Sequence, residues 1–176
     1  MDRLYYFAYG SNLHPERLRT RAPSARVLGN ARLRGYRLRF HKRGRDSSAK
    51  CDAWRTGQRT DLVHGVVYSI ARSDGRALDL AEDLGRGYDR EPVWVTLGVR
   101  RRIVFSYLTR PEAIDDDLRP LDWYLDYVLR GARHHGLPGR YLSRIARENA
   151  VQDPERARRR VNRCVLLTGA KPYRPR

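Results

Sequence analysis

Residues 6–13 read Tyr6-Phe7-Ala8-Tyr9-Gly10-Ser11-Asn12-Leu13, and the folding of the chain is organised around them. Leu4 to Tyr9 is an apolar and aromatic run suited to a largely buried strand. Gly10-Ser11-Asn12 breaks that run, and Pro15 opens a short predicted helix, Pro15 to Thr20. A strand that turns into a helix in this way can aim several backbone N–H groups at one anion. The same residues also fit a plainer reading, in which the glycine permits a tight turn and Asn12 or Ser11 caps the helix.

Working outward, Val27, Gly29, Ala31 and Leu33 alternate with polar residues, and the phase resumes after Gly35 with Tyr36, Leu38 and Phe40. Two strands, or one bent strand, fit. From His41 to Thr60 the sequence is basic, polar and irregular, mostly a loop, with room for a short strand from Ala49 to Trp54. Leu62 to Ile70 is dense in Val and Tyr and predicts a strand buried on both faces. Ser73 is an N-cap candidate for a short helix carrying Ala77, Leu78 and Ala81, which stops before Gly85. Val93 to Val99 and Ile103 to Leu108 predict a hairpin turning at Arg100-Arg101-Arg102. The C-terminal third is helical: Leu118, Leu121, Leu125, Val128 and Ala132 share one face of a helix ending at Gly136, and Pro138 starts the next. Asp153-Pro154 begins an Arg-rich helix to Arg163, and Val165-Leu166-Leu167 suits a last short strand.

A chain of 176 residues can bury roughly 70% of its unfolded surface in one core, so one domain over residues 1–176 is expected, with a basic C-terminal helix and tail from about residue 153. No apolar run approaches the roughly 20 residues needed to cross a bilayer. The first residues go straight into a strand-like run with no signal-peptide pattern, so a cytoplasmic protein with no membrane partner is expected. Cys51 and Cys164 have no CxxC spacing and read as ordinary buried thiols. His134 and His135 are adjacent, point about 100° apart on a helix and read as surface residues rather than metal ligands. The net charge of +17 sets up a long-range field that attracts anions. Arginines lie nearly all round the last helix, which fits a solvated surface or weak, nonspecific association with nucleic acid.

The octapeptide closely resembles the signature of the gamma-glutamylcyclotransferase family. Further matches follow in family order: Pro23-Ser24-Ala25 with Ala31-Arg32-Leu33, Gly65-Val66-Val67, Leu78-Asp79 with Glu82, and Gly131-Ala132 with Gly136-Leu137-Pro138 and Tyr141. They span residues 4 to about 150, and their shared order carries more weight than any one of them. The resemblance implies an α+β fold, a small mixed β-barrel-like sheet flanked by helices. It implies an enzyme that releases 5-oxoproline from a gamma-glutamyl amine, amino acid or peptide by intramolecular attack of the α-amine. No metal or organic cofactor is implied, the partner is a small gamma-glutamyl substrate, and the chain is a monomer or homodimer. The stretch from His41 to Thr60 departs from the family pattern and leaves the leaving-group pocket undefined.

The resemblance places Glu82 as the catalytic general acid and base, and Tyr6, Phe7, Ala8, Tyr9, Gly10, Ser11, Asn12 and Tyr141 against the substrate. Glu82 falls in the last turn of its predicted helix beside Asp83. A helix C-terminus carries roughly half a negative charge, and a carboxylate is disfavoured there, as suits a group that takes up and returns a proton. A solvated Glu82 paired with Arg86 or Arg90 is the simpler reading of the residues alone. Tyr141 stands four before Ile145 and fits packing as well as contact. Tyr88, within Gly85-Arg86-Gly87-Tyr88-Asp89-Arg90, resembles a pattern of the wider family. A different class of function, a basic nucleic-acid-binding module on an inactive fold, is disfavoured because the aromatics sit in strand cores rather than alternating with basic residues.

Overall fold

The computed structural model describes residues 2–168, with side chains through Cys164. Strands β1 (Arg3–Ala8), β2 (Arg26–Arg34), β5 (Leu62–Ala71), β6 (Tyr88–Leu97) and β7 (Arg100–Thr109) close into a barrel in the order β1-β5-β2-β6-β7. β1 meets β7 in parallel at Tyr6 and Phe105, which completes the ring. Two seams of the ring are short: β2 pairs with β6 over Ala31–Leu33, and β1 with β7 at Tyr6 alone. β3 (Tyr36–Arg43) and β4 (Ala49–Arg55) form a separate antiparallel ribbon. Helices α1 (Pro15–Arg19), α2 (Arg72–Ala81), α3 (Asp122–His134), α4 (Gly139–Ala146) and α5 (Arg156–Thr168) surround the strands. The architecture is the α+β, barrel-like one expected.

The strand pattern follows from which faces are covered. Phe7, Leu33, Val63, Val67 and Val95 are all but fully buried. From Gly65 to Ile70 every residue of β5 is buried, the outcome for a central strand paired on both sides by β1 and β2. After β1, the short 3-10 turn Ser11–Leu13 packs on α3. Gly131 of α3 makes that approach possible, since a Cβ there would stand 2.4 Å from the His14 nitrogen and 2.6 Å from Leu13 Cβ.

Several local expectations change. The irregular stretch from His41 holds much regular structure, because β3 runs on to Arg43 and β4 reaches Arg55. Leu38, Phe40, Cys51 and Ala53 supply a buried face that the basic residues between them concealed. The α2 cap position is Ala71, not Ser73, and no side chain caps it. The β6–β7 turn lies at Gly98-Val99, where Gly98 has φ +59°, and Arg100 to Arg102 belong to β7. α3 begins only at Asp122. Residues 165–167 continue α5 and form no strand. Cys51 is buried as expected but Cys164 is exposed. His135 is half-buried, with its Nε2 bonded to the Tyr68 hydroxyl at 2.8 Å and to the Leu13 carbonyl at 3.0 Å, whereas His134 is exposed. Part of the α5 charge is neutralised internally: Arg158 pairs with Asp153 and Glu155, and Arg159 and Arg163 with Asp122. Residues 169–176 of the expected tail lie outside the described residues.

The β3–β4 ribbon is tied down by a buried imidazole. His41 bonds Asp52 at 2.9 Å and Asp116 at 3.1 Å, and Asp52 accepts a hydrogen bond from the Thr109 N–H at 3.1 Å. Burial opposes protonation of His41, yet the hydrogen bonds to the two carboxylates outweigh it and its pKa is raised. A pKa above the unfolded value of about 6.5 means that the folded state holds this proton more tightly. The resulting stabilisation is complete below about pH 6.5 and is lost as pH rises through the folded value. His41→Gln should therefore destabilise more at about pH 6 than at about pH 9. Chemical denaturation of parent and variant at the two pH values measures this, and a pH-independent difference would contradict it. At the α3 contact, Gly131→Ala should cost about 1–3 kcal/mol through overpacking, read from urea midpoints, and a variant as stable as the parent would show that the helix yields freely.

Candidate active site

The site begins where α2 ends. Glu82 follows the last residue of the helix, its N–H still donating to the Leu78 carbonyl at 3.0 Å. Asp83 then adopts a left-handed backbone, φ +58°, and its carbonyl accepts from the Arg86 and Gly87 N–H groups at 3.1 and 2.9 Å. This tight reversal turns the Glu82 side chain toward the segment after β1. Asn12 meets it there: its Nδ2 donates to Glu82 Oε1 at 2.9 Å and to the Tyr6 hydroxyl at 2.9 Å. Arg21, just beyond α1, donates to Asn12 Oδ1 at 2.7 Å and also to Glu82 Oε1.

Behind the carboxylate lies a small cavity of about 20 Å³ whose walls include Tyr6, Tyr9, Gly10, Cys51 and Tyr124. Three of its phenols are fastened to the backbone. Tyr9 donates to the Tyr107 carbonyl at 2.5 Å and Tyr88 to the Cys51 carbonyl at 2.6 Å, while the Tyr124 hydroxyl accepts from the Cys51 N–H at 3.0 Å. Burial pushes the pKa of Tyr6, Tyr9, Tyr88 and Tyr124 up, with negative neighbours adding to it, so these groups act as neutral hydrogen-bonding walls. Burial raises the Cys51 thiol as well, which leaves it a poor nucleophile.

Of the residues singled out in the sequence, Tyr6, Tyr9, Gly10, Ser11, Asn12 and Glu82 converge on this cavity. Phe7 and Ala8 belong to the buried core and do not line it. Tyr141 lies elsewhere on α4, buried with Ile145 and with its ring 4.8 Å from that of His64. The ion-pair partner of Glu82 is Arg21, not Arg86 or Arg90, and Asp83 is drawn away to Arg45 at 2.5 Å. That pairing lowers the Asp83 pKa. Gly10 has φ −108°, so its constraint is space rather than a left-handed backbone: a Cβ would stand 3.0 Å from Cys51 Cβ, tight enough that Cys51 must give slightly, and 3.6 Å from the Tyr124 hydroxyl.

Sequence reasoning missed Arg21, Cys51, Tyr107 and Tyr124. The only local signal was for Tyr88, in the glycine-flanked stretch already noted. Arg21 carries no sequence mark that separates it from its neighbours Arg17 and Arg19.

Known proteins share this arrangement of strands. Residues 6–125 match the family described as gamma-glutamyl cyclotransferase, AIG2-like. The chain belongs to that family. It is 34% identical over 153 residues to gamma-glutamylcyclotransferase of Homo sapiens, and 30% identical over 150 residues to that of Bos taurus, in each case across 82% of this chain and 78% of the relative. A solved gamma-glutamyl cyclotransferase superimposes with a TM-score of 0.79 at 25% identity, covering 88% of this chain and 93% of the other.

The crowding at Gly10 is open to direct test. Gly10→Val should fill the cavity and abolish turnover while circular dichroism still reports a folded chain, and Gly10→Ala, with one carbon to place, should be milder. Undiminished turnover by the valine variant would remove this turn from the site.

Proposed function

We propose that the protein is a cyclotransferase that releases 5-oxoproline from gamma-glutamyl amines, amino acids or peptides, with Glu82 carrying the proton. The observation that carries this reading is the carboxylate of Glu82 at the mouth of the phenol-walled cavity, gripped from one side by Asn12 and Arg21. Both donors fall on Oε1, and among the described residues no hydrogen bond reaches Oε2. That oxygen is the one presented to a substrate.

The Ser11 and Asn12 N–H groups open the 3-10 turn and donate to no protein group among the described residues. They suit the α-carboxylate of the glutamyl group. Its α-ammonium then faces Glu82, which takes one proton. The freed nitrogen attacks the γ-carbonyl carbon, Glu82 returns its proton to the leaving nitrogen as the bond from that carbon to it breaks, and the attacking nitrogen gives up its second proton, which the departing amine takes up to leave as an ammonium ion. One C–N bond forms, one breaks, and no water is consumed. A cavity of about 20 Å³ has room for about one water, so side chains must draw back on binding.

Glu82→Gln keeps the shape and the contact with Asn12 but cannot take a proton. General acid–base catalysis is worth about 10²–10⁴ in rate. We expect kcat for 5-oxoproline release to fall by about that factor, with substrate affinity nearly retained. Asp83→Asn is the control: asparagine tolerates the left-handed backbone, and the change removes only the charge that pairs with Arg45, so its effect should be small. Full turnover by Glu82→Gln would exclude this mechanism, and an inactive Asp83→Asn beside it would move the role to the neighbouring acid. The assay uses a panel of gamma-glutamyl compounds, and release of 5-oxoproline from none of them would reject the activity itself.

A further inference from the structure

A second, larger cavity of about 160 Å³ opens against the first, and the two share Ser11, Glu82, Tyr88 and Tyr124. Glu82 therefore stands at their junction, with the small cavity on one side and the large one on the other. The outer cavity is markedly basic: Arg17, Arg21, Lys42, Arg45 and Lys50 line it, opposed by Glu82 and Asp83. Three of the five cations have carboxylate partners. Arg21 pairs with Glu82, Arg45 with Asp83, and Lys50 with Asp46 at 2.8 Å.

Arg17 and Lys42 are different. Among the described residues neither forms an ion pair, although Lys42 is only 4% exposed. Arg17 is held by the Ser11 hydroxyl at 3.0 Å and lies over the Tyr127 ring at 4.4 Å. Lys42 stands over the face of Tyr88, its Nζ 4.8 Å from the ring centre. Aromatic faces orient a cation and compensate part of its desolvation, but they carry no counter-charge. Burial pulls Arg17 down to about 10, with Arg21 adding to the effect, and burial lowers Lys42 too. Asp83 and Glu82 offset part of the Lys42 charge from beyond ion-pair distance, and two cations facing one cavity with no paired carboxylate of their own suit a ligand with two negative charges.

We infer that the outer cavity receives the leaving amine of the substrate and selects one bearing two negative charges, as in an aminodicarboxylate or a phosphorylated amine. The assignment rests on the cyclotransferase reading for the word "leaving", while the dianion site rests on Arg17 and Lys42 themselves. It follows from the geometry at Glu82: the carboxylate reaches the glutamyl amine on the inner side and the departing nitrogen on the outer side. The substituents of that nitrogen then extend past Tyr88 toward Lys42 and past Ser11 toward Arg17.

The test compares 5-oxoproline release from γ-glutamylethylamide, γ-glutamylalanine, γ-glutamylglutamate and γ-glutamylphosphoethanolamine, whose leaving amines carry none, one, two and two anionic charges. We expect kcat/KM to rise about tenfold per charge, the size of one charge-assisted hydrogen bond. In Lys42→Met and in Arg17→Met the ratio of kcat/KM for γ-glutamylglutamate over γ-glutamylethylamide should fall about tenfold. Because it is a ratio, it is insensitive to any general loss of folded or active protein. The last two substrates separate carboxylate from phosphate as the preferred source of the charge. Equal rates for all four compounds, or an unchanged ratio in both variants, would overturn the inference. Calorimetric titration with free L-glutamate and L-alanine decides independently of turnover. Tighter binding of L-glutamate that is lost in Lys42→Met supports the site even if no compound yields 5-oxoproline and the cyclotransferase reading fails. Equal binding of the two amino acids removes it.

Discussion

The contact on which the site depends is the one between the Asn12 amide and the Glu82 carboxylate. It joins the turn that leaves β1 to the turn that leaves α2, elements 70 positions apart in the chain. Asn12 also holds the Tyr6 hydroxyl and accepts from Arg21, so one amide fixes a wall of the cavity, the acid at its mouth and the cation beside that acid. Partly buried polar groups of this kind must satisfy one another, because water is not there to do so. The rest of the fold serves that arrangement: barrel closure between β1 and β7 places Tyr6 against Phe105, rings 5.2 Å apart, and α3 supports the 3-10 turn from behind through the gap at Gly131.

The outer cavity gives part of the positive charge a definite place. A basic chain has arginines in many exposed positions where they need no explanation, and several on α5 pair with acids of the same molecule. Lys42 is set apart by enclosure, and both Lys42 and Arg17 by aromatic faces that orient them and by the lack of an ion-pair partner among the described residues. The ribbon of β3 and β4 brings Lys42, Lys50 and Cys51 to the site.

The charges that act on Glu82 are not those adjacent to it in the chain. From the sequence, a helix end and an adjacent Asp83 were the charges at hand. In three dimensions the left-handed turn at Asp83 points that carboxylate toward Arg45, and Arg21 arrives from the end of α1 to pair with Glu82. Charge interactions fall with distance through space, not along the chain, so a residue 61 positions away outweighs the next one.

The sequence by itself determined the elements whose signals are local. The strand, break and helix of residues 4–19 and the buried run of β5 were readable from period and composition, as was the face of α3. The family resemblance grouped Tyr6 to Asn12 with Glu82; in the structure Tyr6, Tyr9, Gly10, Ser11 and Asn12 line one cavity with Glu82, while Phe7 and Ala8 do not. The ribbon was only half legible, because its buried positions alternate with basic residues that resemble a loop. What only the tertiary structure decided was which residues meet: Arg21 on Glu82, Cys51 between Tyr88 and Tyr124, Lys42 over Tyr88, and Tyr141 against His64 instead of the cavity. Local propensity acts over a few residues, whereas these contacts are made by barrel closure and by the docking of helices and ribbon onto it, so no window of sequence contains both partners.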